Sequence, residues 1–137
     1  MEEKEKKAQE LYMEYKAIEE HMKQLQKQLE IITNQLVEAH STSSSLDDLG
    51  KTTAGKEIFV PVSSGIFAKA EMKDTSELLV NVGAGVVIEK DIGSTKKLIQ
   101  RQIDEMKKVH KKMLDELEAI TERASHIEAQ LQKIVSE

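Results

Sequence analysis

No cysteine and no tryptophan occur in this 137-residue sequence, which holds one proline, six glycines and only 3% aromatic residues. The absence of cysteine excludes a disulfide scaffold, thiol catalysis and any Cys-ligated zinc or iron–sulfur site. The scarcity of aromatics argues against a compact globule, which at this size packs large side chains at its centre. A long hydrophobic run is missing as well: the longest nearly apolar stretch, Leu78 to Ile88, has about 11 residues against the ~20 a bilayer span needs. The amino-terminal Met1-Glu-Glu-Lys-Glu-Lys-Lys is charged where a signal peptide is apolar. A net charge of −5 leaves no electrostatic footprint for nucleic acid or an anionic lipid surface. Charge itself is abundant at 33%, set among Leu, Ile, Val, Ala and Met in an apolar fraction of 39%. That composition belongs to long helices or coiled coil. It predicts a soluble, cytoplasmic, mainly helical interaction protein that engages neither nucleic acid nor membrane.

The apolar residues of the first third step by four and three without a break: Leu11, Tyr15, Ile18, Met22, Leu25, Leu29, Ile32, Leu36, Ala39. This is a heptad seam, with Leu11 at a d position and Tyr15, Met22, Leu29 and Leu36 at a positions. The seam extends through Ser43 to Leu46, and Gly50 suits a left-handed cap. The spacing predicts a helix over about 2–49, weakened near Ser41–Ser45, whose side chains compete for backbone hydrogen bonds. The last third repeats the pattern through Ile99, Ile103, Met106, His110, Met113, Leu117, Ile120, Ala124, Ile127, Leu131 and Ile134. Asp91 or Ser94 caps this second helix, expected over about 94–136. Each helix is then roughly 65–70 Å long, too long to fold inside a small globule, so the two pair with each other.

The middle third alternates with period two. Expected strands are 57–62 and 66–72, joined at Ser63-Ser64-Gly65, then 77–82 and 86–90, joined at Gly83-Ala84-Gly85. The fold class is therefore mainly α with a small β part, two β-hairpins joining an antiparallel two-helix coiled coil. If the helix ends near 49 and 94 meet, facing residues have numbers summing to roughly 143, within one heptad. Leu11 then lies beside Leu131 or Ile134, and Leu29 beside Met113 or Leu117. Two hairpins alone are marginal, and their strands are apolar on both faces. Such edges invite pairing with another chain. Ile58, Val60, Val62, Phe67, Leu79, Val80, Val82, Val86 and Ile88 are the expected oligomerisation residues, assembling into an intersubunit β-barrel body.

The segment Phe59-Val-Pro-Val-Ser-Ser-Gly-Ile-Phe-Ala-Lys-Ala-Glu71, then Lys73-Asp-Thr-Ser-Glu77 and Val80-Asn-Val-Gly-Ala-Gly-Val-Val-Ile-Glu-Lys-Asp91, closely resembles the archaeal prefoldin alpha subunits. Two hairpins rather than one agree with the alpha class. Gly93-Ser94 departs from the acidic and alanine residues with which that family usually opens its second helix, and the Ser/Thr run near 41–45 is also unusual. The resemblance covers the whole chain in architecture and implies one prefoldin-like domain over 1–137. It further implies a hexamer of two alpha with four prefoldin beta subunits, carrying coiled-coil tentacles on a β body. Such assemblies hold unfolded client proteins at the tentacle tips without ATP and pass them to a group II chaperonin.

Other signals are weak. The four histidines, His21, His40, His110 and His126, form no His-Glu-x-x-His motif, so a metal site is not expected. His110 occupies an a position, where a polar group sets register. Gly83-Ala84-Gly85 lacks the third glycine and following helix of a dinucleotide fingerprint and reads as a hairpin turn. No nucleophile or paired-acid motif appears, so neither enzyme activity nor a cofactor is expected. Tyr12 and Val135 fall at e positions and Met13 at an f position, outside the seam and near the chain termini. Exposed apolar residues are ordinary when scattered. Clustered here, they equally suit client contact at the tips, with Leu11, Tyr15, Ile127, Leu131 and Ile134 as the neighbouring seam. The expected function is an ATP-independent holdase; the alternative is a structural prefoldin-like subunit polymerising through its hairpins into a filament or scaffold.

Overall fold

The computed structural model describes residues 2–136, so the two outermost residues of the expected 1–137 domain lie outside it. The order of elements is α1 (Glu2–Gly50), β1 (Glu57–Ser63), β2 (Ile66–Glu71), β3 (Glu77–Gly83), β4 (Val86–Asp91) and α2 (Ile92–Ser136). The chain divides into two compact units, Met1–Leu36 with Glu105–Glu137, and Val37–Asp104.

In the first unit α1 and α2 close on each other through the heptad seam. Leu11, Leu25, Ile32 and Ile127 are buried, while Tyr15, Ile18, Met22, Leu29, Met106, His110, Met113, Leu117 and Ile120 are half-buried. On α1 the buried positions are all d positions and the a positions are half-buried, so the d layers form the drier side of the seam. Polar pairs flanking the seam fix the direction of pairing. Arg123 donates to Glu14 Oε1 from Nη2 at 2.7 Å and from Nε at 3.2 Å, and His21 Nε2 lies 3.1 Å from Glu116 Oε1. One heptad forward on α1 is one heptad backward on α2, which is antiparallel pairing. Both pairs have numbers summing to 137, inside one heptad of the expected line.

In the second unit Leu46 and Ile103 carry the apolar core, joined by the buried Thr95, whose hydroxyl donates to the Asp91 carbonyl at 2.8 Å. Lys96 is paired with Asp47 across the helices. The Ser/Thr run stays helical, Thr42 donating back to the Glu38 carbonyl at 2.9 Å. Gly50 corrects the expectation of a left-handed cap: it is the last helical residue and is not among the glycines with positive φ. No such residue is needed, because Lys51 and Thr52 N–H groups take the Asp48 and Leu49 carbonyls at 3.2 and 3.1 Å and the Thr52 hydroxyl adds a bond to Asp48. The second helix begins at Ile92, earlier than expected, because Asp91 rather than Ser94 is its cap. The Asp91 Oδ1 accepts the Ser94 N–H at 2.6 Å, drawing Gly93 into the first turn.

The strands form two separate two-stranded sheets, β1 with β2 and β3 with β4, both antiparallel. Strand ends at Ser63, Gly83 and Asp91 lie one residue beyond expectation. β2 stops one short at Glu71, although Met72 still trades backbone bonds with Lys56 and Gly55. Left-handed backbone is concentrated at the second turn, where Gly83, Ala84 and Gly85 have φ of 110°, 52° and 74° and the Asn81 amide oxygen accepts the Gly83 N–H at 2.9 Å. Alanine carries a steric cost there that glycine does not.

The seam sets the first expectation. Ile103 and Ile127 are 0% exposed, so Ile103→Ala and Ile127→Ala each cost about 2–5 kcal/mol in chemical denaturation followed by helical signal. The exposed Val135→Ala changes stability by less than about 0.5 kcal/mol. The cap sets a second. The Ser94 backbone N–H, then its hydroxyl, hold the Asp91 carboxyl below its ordinary value of 3.8. A depressed carboxylate contributes stability above that ordinary value and loses it as pH falls through the lowered one. Asp91→Ala therefore lowers the melting temperature by a few degrees at neutral pH and flattens its fall under acid, while Asp91→Asn, which keeps an acceptor, retains most of the neutral-pH stability. Thermal melts across that pH range check both.

Candidate functional site

Among the described residues no group of His, Asp or Glu side chains is placed to hold a metal ion. Exposed large apolar side chains occur in both units.

In the first unit Ala8 with Tyr12 and Gln9 with Met13 are each one helical turn apart, giving two parallel ridges on α1. With Leu131 of α2 they line an open groove of about 380 Å³. Tyr12 is 54% exposed and Met13 71%, so both side chains stand above the seam rather than in it. Lys16 Nζ sits 5.6 Å from the centre of the Tyr12 ring, a cation over its face, and also 3.8 Å from Glu19. Leu131 belongs as well to a second groove of about 670 Å³ on α2, running past Gln132 to Val135, which is 82% exposed, with Glu128 and Lys133 at its rim. Leu131 is thus common to both grooves.

The expected tip residues divide by burial. Tyr12, Met13 and Val135 are exposed, Tyr15, Leu131 and Ile134 half-buried, and Leu11 and Ile127 buried in the seam. The first group, and in part the second, offer surface to a partner while the helices stay paired; of the second, Leu131 lines the grooves. Ala8 and Gln9 were not expected in the site; they follow from Tyr12 and Met13 by subtracting one turn. Further exposed apolar side chains occur at Ile31, Val109 and Leu114 in the same unit, outside the seam positions.

In the second unit the expected oligomerisation residues are mostly open to solvent. Val60, Val62, Phe67, Leu79, Val82, Val86 and Ile88 are exposed, while Ile58 and Val80 are half-buried. Phe59, Ile66 and Val87, outside the expected set, are exposed as well. Charge is arranged unevenly on the two hairpins. Lys69 Nζ lies 3.8 Å from Glu57 on the first. On the second, the neighbouring Glu89 carboxyl first, and then the charges of Asp74 and Asp91, hold the Glu77 carboxyl above its ordinary value of 4.5.

The family described as Prefoldin subunit matches residues 18–137. Among relatives, Prefoldin subunit alpha of Methanobrevibacter smithii is 38% identical over 79 residues, 57% of this chain and 53% of that protein. Prefoldin subunit alpha of Archaeoglobus fulgidus is 26% identical over 130 residues, 93% of each chain. Prefoldin subunit 5 of Homo sapiens is 32% identical over 77 residues, 56% of this chain and 48% of that protein. The matches to the Methanobrevibacter and human proteins thus span about half the length of each. Among solved structures, a filamentous PFD from Methanocaldococcus jannaschii, determined by cryo-EM, superposes with a TM-score of 0.61 at 18% identity, covering 90% of this chain and 96% of that one.

Proposed function

The chain belongs to the prefoldin family, and we propose that it is an alpha-class, ATP-independent holdase subunit that binds unfolded chains at its helix-end grooves. The observation that carries this reading is the groove of Ala8, Tyr12, Met13 and Leu131, with Val135 exposed beside Leu131. Apolar contact is non-directional and suits a surface that must accept many sequences. The soft thioether of Met13 adapts to varied partners, and Tyr12 adds a broad ring with a polar tip. The first turn of α1 lacks intrahelical partners for its N–H groups and the last turn of α2 for its carbonyls, so the outermost turns open most readily, and opening that spreads inward along the seam enlarges the groove towards Leu11, Tyr15, Ile134 and finally Ile127. The mechanism is binding, with no covalent step and no cofactor. Its partners are unfolded proteins, prefoldin beta subunits in a two-to-four complex, and a group II chaperonin that receives the client. Its proposed place of work is the cytoplasm; among the described residues no helix is long and apolar enough to cross a membrane.

The hairpins supply the assembly role. Their exposed apolar residues lie on both faces of two-stranded sheets that pair with nothing else among the described residues. The same observation favours a second reading, an open scaffold polymerised through the hairpins, and the structural neighbour is filamentous.

Two expectations separate these roles. Tyr12→Ser with Met13→Ser and Val135→Ser reduces suppression of client aggregation by threefold or more, read by light scattering of a denatured client on dilution, with helix content unchanged. Undiminished protection would exclude the grooves as the holding surface. Val80→Asp or Val82→Asp places a charge in an apolar contact. Sedimentation then shows loss of the oligomer at preserved helix content. Intact complexes in both variants would exclude the hairpins as the assembly surface.

A further inference from the structure

Four lysines fall within six residues of α2: Lys107, Lys108, Lys111 and Lys112. They break the charge pattern of the first unit. Outside residues 107–112, the described residues of that unit hold fourteen Asp and Glu against eight Lys and Arg, so the group is a positive island on an otherwise negative surface. Lys107 and Lys111 are one helical turn apart, as are Lys108 and Lys112, and like charges at that spacing weaken a helix. The cost is not offset within the chain. All four residues are exposed, and none takes part in an ion pair among the described residues. Glu116, one turn beyond Lys112, is engaged instead with His21 Nε2 at 3.1 Å. Where a chain breaks a local rule without compensating for it, the compensation is sought in a partner.

The heptad places the lysines at e, f, b and c positions, the arc of α2 outside the seam. An apolar residue borders the arc on each side. Val109, at g, precedes Lys112 by three residues, and Leu114, at e, follows Lys111 by three. They are 43% and 45% exposed. Neither is a seam residue, and neither lines the grooves near Tyr12 and Val135. The arc is short, about 9 Å along the helix axis. Nucleic acid rewards a long basic track and aromatic platforms for its bases. Here α2 has no aromatic residue, and Asp115, Glu116 and Glu118 follow directly after the lysines, where they repel a long polyanion.

We propose that this face docks a short acidic segment of another protein, its carboxylates on Lys107, Lys108, Lys111 and Lys112 and its apolar side chains on Val109 and Leu114. The occupant follows from charge complementarity, from the length of the arc and from its two apolar borders. Lysine is a compact charge on a flexible stem, so it accepts a carboxylate in many geometries. The face therefore selects by charge and does not demand one sequence. Its attraction steers the encounter and weakens with salt. Val109 lies roughly 40 Å along α2 from Val135. The proposal thus goes beyond the holding grooves and does not depend on them.

The test uses the full chain and a fluorescein-labelled peptide of Glu residues with two Leu, followed by fluorescence anisotropy. Companion probes replace Glu by Lys, replace Leu by Ser, or are a single-stranded oligonucleotide of matching length. Wild type is expected to bind the Glu/Leu peptide about tenfold or more tightly than the Lys/Leu one, and to lose that preference at high salt. The variant Lys107→Gln/Lys108→Gln/Lys111→Gln/Lys112→Gln loses the binding. Its melting temperature stays level or rises, because both like-charge pairs are gone. Val109→Ser with Leu114→Ser weakens the Glu/Leu peptide about threefold and leaves the Glu/Ser peptide unchanged. Tyr12→Ser with Met13→Ser and Val135→Ser binds the acidic peptide as wild type does, which keeps this face apart from the holding grooves. Wild type that does not separate the Glu and Lys peptides overturns the proposal, as does a lysine variant that still binds. A lysine variant that melts lower assigns the lysines to stability and overturns it too. An oligonucleotide bound more tightly than the peptide gives the face to nucleic acid and overturns the acidic protein segment as occupant.

Discussion

A seam one side chain wide holds the paired helices together in each unit. The buried apolar side chains among the described residues are Leu11, Leu25, Ile32, Leu46, Ile103 and Ile127, and every one is a heptad position. Nothing thicker is available, because a two-helix contact buries only the stripe that each helix turns to the other. The consequence reaches the rest of the molecule. Apolar residues off the seam, such as Tyr12, Met13, Ile31, Leu114 and Val135, stay in solvent, since the fold has no second layer to cover them. The polar pairs beside the seam, Glu14–Arg123 and His21–Glu116, are half-exposed and add direction more than energy.

The same shortage governs the β part. A two-stranded sheet leaves both outer edges and both faces without neighbours, and it is marginal unless something covers it. On the first hairpin Phe59 and Phe67 lie on one face and Val60 on the other, and on the second Leu79 and Val87 lie on one face and Ile88 on the other, all exposed in the single chain. Hairpins of this composition gain by burying those faces against further strands. Covering these faces is thus favoured by the strands themselves, independently of what the helices do.

How much of this could be read in the residues beforehand depended on whether the signal was local. The heptad steps fix which helical side chains face inward, because they follow from backbone geometry alone; Leu25, Ile32 and Ile127 were legible for that reason. Turn chemistry placed both hairpins to within a residue. The helix ends were less legible. Gly50 was misread because its role depends on whether Lys51 and Thr52 take the last carbonyls, and Asp91 was one of two candidates until its carboxylate was seen to accept the Ser94 N–H. The grooves were half legible, Tyr12 and Met13 standing out as off-seam while Ala8 and Gln9 needed the helix surface. Least legible was that Lys69 and Glu89 hold equivalent places in the two hairpins, opposite Phe59 and Leu79. Their equivalence depends on a register that passes through a bulge in each hairpin, and alternation alone does not locate a bulge.

These constraints bear on how a weak surface holds a client. The groove of Tyr12, Met13 and Leu131 is shallow and open, and one such contact costs nearly as much in ordering a disordered chain as it gains. A single copy is therefore a poor holdase on physical grounds. Joining copies changes this without any new contact, because a chain held at one groove meets the next at high effective concentration. On the proposed reading, hairpins that serve assembly and grooves too weak to act alone are two sides of one requirement. A tighter groove would need a larger apolar patch, and on separate chains such a patch drives self-aggregation. On the proposed reading, dividing the apolar surface among several subunits keeps each patch small, and holding an unfolded chain falls to their sum.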